Sequence, residues 1–199
     1  FRMPAVKGRK KLVEAAVTDV ETLLVTSRLL LYDEITVQMK ALEARLEKLA
    51  EEDERAKLLM THPGIGVNNA LALVHTLGHV RRFRRKEEVV AFVGLDPLEK
   101  SSGEKKRMGQ ISKHGSRLAR HLLGQAAQAS RDHRIRTFYS QVSRRRGRPN
   151  AKVAAARKLL INCYVMLRDN ISYEEFTRRG EVGLCEGSGE VRRDNPLSL

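Results

Sequence analysis

Two stretches of this 199-residue sequence combine residue types that could do chemistry. In the first, which runs from Gly94 to Gly115, Ser101-Ser102-Gly103 is followed closely by Lys105, Lys106, Arg107 and Lys113. A serine hydroxyl in such a field ionises more readily, and the same cations would stabilise a phosphorane-like charge, so the chemistry would be attack on a phosphodiester. Residue types alone leave a second reading open. Ser-Ser-Gly is also ordinary loop punctuation, the bases could simply neutralise phosphates, and no general base stands out nearby. In the other stretch, Pro63-Gly64-Ile65-Gly66 interrupts a helical pattern directly before an Ala-containing one. Backbone N–H groups of such a turn, at a helix N-terminus, can face a phosphate with no side chain between, which is the logic of a helix-hairpin-helix. Gly64 and Gly66 are therefore candidate phosphate contacts; the alternative is an ordinary turn between packed helices.

The remaining cations are grouped. Arg117, Arg120 and His121 are followed by bases within 131–136, by Arg144 to Arg148, and by Arg157 and Lys158. Any one run reads as a solvated helix face, but together, with few acids among them, they read as a phosphate-tracking surface. The whole chain agrees: 38 Lys and Arg against 24 Asp and Glu give a net charge of +14 and a pI near 10.2. A compact fold with that self-repulsion is relieved by a polyanion, here DNA or RNA. Five Phe, four Tyr and no Trp argue against an aromatic stacking platform for single strands. No window approaches the roughly 18 apolar residues of a spanning helix, and the basic amino end does not read as a signal peptide, so no membrane partner and a cytosolic location are expected. Cys163 and Cys185 have no spacing for zinc or a bridge, and no metal site is expected in the chain. A first residue of Phe rather than Met suggests a fragment of a longer reading frame.

These residues must be positioned by helices. From Lys11 to Leu59 there is no Pro or Gly, which predicts one long helix. Within it Ile35, Met39, Leu42, Leu46 and Leu49 follow the alternating four-three spacing of a coiled-coil seam, an oligomer contact or a packing face. Further helices are predicted over 67–77, 86–93, 116–130 and 134–144. A last one, capped by Asn150 and reaching about Arg168, would bury Val153, Leu160, Cys163, Tyr164 and Leu167. Residues 94–109 read as a loop, and the glycine-bearing stretch 173–199 as a disordered tail. The expected fold is mainly α, a helical bundle with a helix-hairpin-helix-like element preceded by a long helix or coiled coil. Its divisions are 1–57, 58–172 and 173–199.

In order along the chain, Pro63-Gly64-Ile65-Gly66 with Ala70 and Leu73, Gly78 with Arg81-Arg82-Phe83, and Ala91-Phe92-Val93-Gly94-Leu95 with Pro97 form one pattern. It continues through Ser102-Gly103, Gly109 with Ile111-Ser112-Lys113, Gly115, and Ala156-Arg157-Lys158-Leu159-Leu160. The pattern resembles the C-terminal transposase domain of the bacterial IS-one-ten/IS-one-sixteen insertion-sequence family, over roughly Leu58 to Asp169. The resemblance implies DNA transposition and recombination by serine-mediated strand cleavage and transfer, with Ser102 as nucleophile and Ser101 as the fallback. It implies DNA as partner, with a structured guide RNA beside it, and subunit contacts through the amino-terminal helix. It also implies a separate RuvC-like domain whose acids hold Mg. These 199 residues have no room for that domain, so the chain alone is expected to bind nucleic acid without completing strand exchange. The alternative is a non-enzymatic helix-hairpin-helix-type DNA- or RNA-binding protein. Ser116 stands where the family more often has asparagine.

Overall fold

The computed structural model of the chain describes residues 6–16, 18–102 and 105–186. They form two compact units, Phe1–Leu49 and Ala50–Leu199. In the first unit lie helix α1 (Val6–Glu14) and most of α2 (Asp19–Glu52). The predicted single helix is thus interrupted twice. After α1 the chain turns, and Thr18 and Glu21 cap the next start reciprocally, the Thr18 amide donating to Glu21 and the Glu21 amide to Thr18 Oγ1. The second break is at Asp53, whose carboxylate accepts from the Arg55 amide and begins α3 (Glu54–Met60). An uninterrupted run of good helix formers does not prevent this, because a capping carboxylate satisfies amide donors that a continuous helix would otherwise pair. The seam residues Ile35, Met39, Leu42 and Leu49 are exposed, and Leu46 is half-buried.

The second unit begins at Ala50, ahead of the predicted boundary, because Ala56 and Leu59 of α3 are fully buried. It continues through α4 (Val67–Leu77), a 3-10 turn (Val80–Arg82), α5 (Lys86–Val93), strands β1 (Pro97–Ser102) and β2 (Lys105–Ile111), α6 (Arg117–Ala129), α7 (His133–Arg146), α8 (Arg148–Asp169) and α9 (Tyr173–Glu186). The architecture is mainly α, as expected. The centre is α8, which packs against α3, α5, α6 and α7. Its alanines and leucines recur at helical spacing, and Leu159, Leu160, Cys163, Tyr164 and Met166 are fully buried. The Tyr164 hydroxyl donates to the Phe83 carbonyl at 2.9 Å, so the one polar atom of the largest core side chain is satisfied. Burial pushes the Cys163 thiol up to about 12, which makes it an inert core residue. Val153 and Leu167 are only half-buried.

Three local expectations are corrected. Asn150 does not cap α8: the helix starts two residues earlier with Pro149 in its first turn, and the Asn150 side chain donates to the Arg146 carbonyl. Residues 94–109 are not simply a loop, since β1 and β2 pair as an antiparallel hairpin running from Pro97↔Ile111 to Ser102↔Lys105, with a bulge between Pro97 and Glu99. The stretch from Tyr173 is not a disordered tail as far as Glu186. It is held by Tyr173, whose amide donates to Thr61 Oγ1 at 2.9 Å and whose ring meets His62 edge-on at 4.5 Å. Glu175 then bridges to Arg178 and Arg179 along the helix. Residues 187–199 lie outside the described ones. Among the described residues no helix is long and apolar enough to cross a membrane.

Candidate nucleic-acid interface

The hairpin stands on a clamp made of backbone. Helix α5 ends at Gly94 in the left-handed region (φ 78°), where its amide reaches back to the Val90 and Ala91 carbonyls. The chain leaves along β1, returns along β2, and passes Gly94 again at Lys113 to Gly115. There the Ser112 amide donates to the Asp96 carbonyl at 2.9 Å and the Lys113 amide to the Gly94 carbonyl at 3.2 Å. Ser112 Oγ donates to the Asp96 carboxylate. The approach is so close that a Cβ on Gly115 would lie 2.0 Å from the Phe92 carbonyl oxygen, and one on Gly94 2.8 Å from the Gly115 amide nitrogen. Only glycine fits at this crossing. Arg120 of α6 locks it, with Nη1 donating to the Gly115 carbonyl at 2.6 Å and to the Val93 carbonyl at 3.0 Å. Ser116 caps α6 through its hydroxyl, which accepts from the Ala119 amide.

Between this clamp and α6, α7 and α8 run two adjoining grooves. The larger, about 770 Å³, has an apolar floor that includes Leu95, Ile111 and Val153, and its cations are Lys113, Arg146 and Arg157. The other, about 430 Å³, shares that floor and Lys113, and adds Arg117, His121 and Lys152. Neither is lined by an Asp or Glu. Cations gathered without counter-charges on a concave wall focus a positive potential, which suits a polyanion. Gly124 of α6 makes room for the stem of Lys152, since a Cβ there would lie 2.7 Å from Lys152 Cε.

Of the residues singled out from the sequence, Lys113 and Arg117 therefore share a groove. Arg120 lines it too, but its guanidinium is engaged with two backbone carbonyls, so its part is to hold the hairpin rather than to offer a free cation. Ser102 pairs with Lys105 at the far end of the hairpin, and Ser101 with Lys106. At about 3.3 Å per residue, five residues of β1 put Ser102 roughly 17 Å from the base where Lys113 sits, so Lys113 does not share its immediate field. The side chains of Ser101, Ser102, Lys105, Lys106 and Arg107 lie outside the described residues.

Gly64 and Gly66 line neither groove. Gly64 (φ 136°) belongs to a turn closed by the Ile65 amide donating to the His62 carbonyl, and its missing Cβ is filled by Ser130, whose Oγ would be 2.7 Å away. Ser130 Oγ in turn donates to the Pro63 carbonyl at 2.9 Å. Gly64 is thus a packing glycine. Gly66 begins α4 with open space before it and no side-chain cap. Beside this turn His62 and Asp132 are buried together, Nε2 to Oδ2 3.6 Å. The sequence reading missed Lys152 and the apolar floor. Their signal was the i, i+4 pairs Lys152/Ala156 and Val153/Arg157, which lie on neighbouring lines of one helix face.

A sequence profile described as the transposase IS116/IS110/IS902 family matches residues 56–143, from α3 to near the end of α7. Over residues 56–143 the chain matches the transposase domain of this family. The domain contains the clamp, the hairpin and the α6 wall of the grooves, while Arg146, Lys152 and Arg157 follow it. Among relatives, the transposase for insertion sequence element IS1111A of Coxiella burnetii is 31% identical over 137 residues, 64% of this chain and 38% of its own length. The insertion element IS110 uncharacterized 43.6 kDa protein of Streptomyces coelicolor is 31% identical over 141 residues, 69% of this chain and 35% of its own. A probable family 20 transposase of Pseudomonas aeruginosa is 34% identical over 103 residues, 48% of this chain and 30% of its own. The matched part spans about a third of the length of these relatives.

Proposed function

We propose that this chain binds DNA through the cationic grooves at the hairpin base and serves the transposition of an insertion sequence, with Ser102 as the nucleophile. The observation that carries the binding is the acid-free lining of both grooves in a chain bearing the transposase domain. In the proposed step Ser102 Oγ forms a bond to phosphorus while the bond from phosphorus to the departing strand's oxygen breaks. The proton lost by the serine hydroxyl is balanced by the one that the departing hydroxyl gains, leaving a phosphoserine link that a second strand's hydroxyl reverses. A hairpin standing on a rigid clamp supports this role, because a nucleophile must be carried to a target without its support deforming. Among the described residues no group of three or more His, Cys, Asp or Glu could hold a metal ion, and the resemblance assigns the Mg to the separate RuvC-like domain.

Partnership with a second copy through the exposed seam of α2, with a structured RNA, and operation in the cytosol complete the proposal. The amides at the start of α4, at Gly66, are a second candidate phosphate contact within it. Binding is tested by salt. If Lys113, Arg117, Arg146, Lys152 and Arg157 each neutralise one phosphate, log Kobs against log[salt] falls with a slope of roughly −4 to −5. A flat response sinks DNA binding. Chemistry is tested by Ser102→Ala with the RuvC-like domain supplied: covalent protein–DNA capture is lost while DNA affinity stays. Capture that survives removes Ser102 and makes Ser101 the next residue to replace. Affinity without capture in the unaltered protein would instead favour the non-enzymatic binding reading.

A further inference from the structure

The larger groove differs from a surface that only tracks a backbone. Its floor is apolar, built of Leu95, Ile111, Val153 and Ala154, and its volume of about 770 Å³ lies in the range of ligand-sized pockets. A duplex held only by its phosphates needs cations on an open face and has no use for an apolar recess. The cations stand around that floor: Arg146 at the end of α7, Arg157 on α8 and Lys113 at the hairpin base. An apolar recess under guanidinium groups is the chemistry that accepts one unstacked nucleobase, with its flanking phosphates paired to the cations.

Lys113 gives independent support. It has φ 59°, one of two described non-glycine residues in the left-handed region, where a lysine backbone is disfavoured and asparagine or glycine is at ease. Its side chain is exposed, and it lines both grooves. A strained position occupied by a long cation points to a use for the cation.

We infer that the groove floored by Leu95, Ile111 and Val153 holds a single unpaired nucleotide of DNA, and that Lys113 binds the phosphate where the strand passes from one groove to the next. This rests on the DNA-binding reading above. It does not require an aromatic platform, because one base is seated on aliphatic side chains and covered by guanidinium planes.

The test uses the full chain and three labelled DNAs of one sequence: a paired 20-mer duplex, the same duplex with one extra unpaired nucleotide, and that bulge made abasic. The base-bearing bulge binds about five- to tenfold tighter than the other two, the scale of one seated base. Ala154→Leu, which fills the floor, removes that preference, so that the base-bearing bulge binds no tighter than the abasic one. Lys113→Asn weakens binding to the base-bearing bulge about tenfold and lowers the salt slope by about 1, while its Tm is no lower than that of the unaltered chain. A loss of binding therefore cannot be ascribed to unfolding. Equal affinity for all three DNAs with a steep salt slope overturns the nucleotide site and leaves the groove as a phosphate surface. A preference that the abasic bulge shares overturns it too, since bending alone then explains it. Unchanged affinity in Lys113→Asn removes Lys113 from the site. No binding to any of the DNAs takes down the underlying reading as well.

Discussion

Replacing Arg120 separates a clamp from a phosphate contact. Its Nη1 donates to the carbonyls of Val93 and Gly115, which belong to the two chain passages that must stay together for the hairpin to stand. A hydrogen bond from a charged donor contributes about 1.5–3 kcal/mol. Here one nitrogen serves both carbonyls and the side chain is half-buried, so water can replace part of the interaction and the total is about 2 kcal/mol. For a chain of this size that is a fall in Tm of about 4–8 °C. Arg120→Met should show the whole loss. Arg120→Lys is the informative change, because it keeps a cation for DNA but its shorter side chain does not carry the ammonium to the place where Nη1 meets both carbonyls. Thermal unfolding should place both variants below the unaltered chain by similar amounts. Hydrogen exchange should show the Ser112 and Lys113 amides, bonded to Asp96 and Gly94, opening faster in both. If Arg120→Lys keeps full Tm and normal protection at those amides, the clamp argument is wrong and Arg120 is available as a free cation.

Other consequences follow from the same geometry. Gly64→Ala places a Cβ 2.7 Å from Ser130 Oγ and 2.9 Å from its Cα at φ 136°, so it should destabilise by about 2–3 kcal/mol in urea unfolding. Gly66→Ala, with open space and φ −93°, should stay within about 0.5 kcal/mol. If it also leaves DNA affinity unchanged, the start of α4 is not a phosphate contact. His62 is held below its usual 6.5 by burial, with Asp132 pulling the other way. It stays neutral in the fold where the unfolded chain takes a proton, so stability is full above pH 6.5 and falls as pH drops through that value. Tm measured from about pH 8 to 5 should fall less steeply in His62→Gln; an identical fall would assign the effect elsewhere. Leu42→Glu combined with Leu49→Glu, both on the exposed seam of α2, should lower the mass seen by light scattering without changing unfolding of the second unit. An unaltered chain already monomeric at high concentration would refute pairing through the seam.

Composition and periodicity by themselves determined a mainly helical chain, a turn at Pro63–Gly66, helices over 67–77 and 86–93 at their observed bounds, and a strong excess of positive charge. These follow from local rules: apolar spacing, glycine and proline at breaks, and charge counted without regard to position. The hairpin did not show, because Pro97 to Ile111 is polar and charged and its pairing is set by two chain passages meeting at Gly94 and Gly115. The helix over Tyr173–Glu186 was hidden for a similar reason, since Thr61 and His62, over a hundred residues earlier, hold its start. The tertiary structure also sorted the cations. In the sequence Arg117 and Arg120 are equivalent and Lys152 is unremarked. In the fold Arg120 faces backbone carbonyls, while Arg117 and Lys152 line one groove with Lys113. Charge can be counted along a chain, but whether a cation meets protein or solvent depends on which carbonyls the fold brings within its reach.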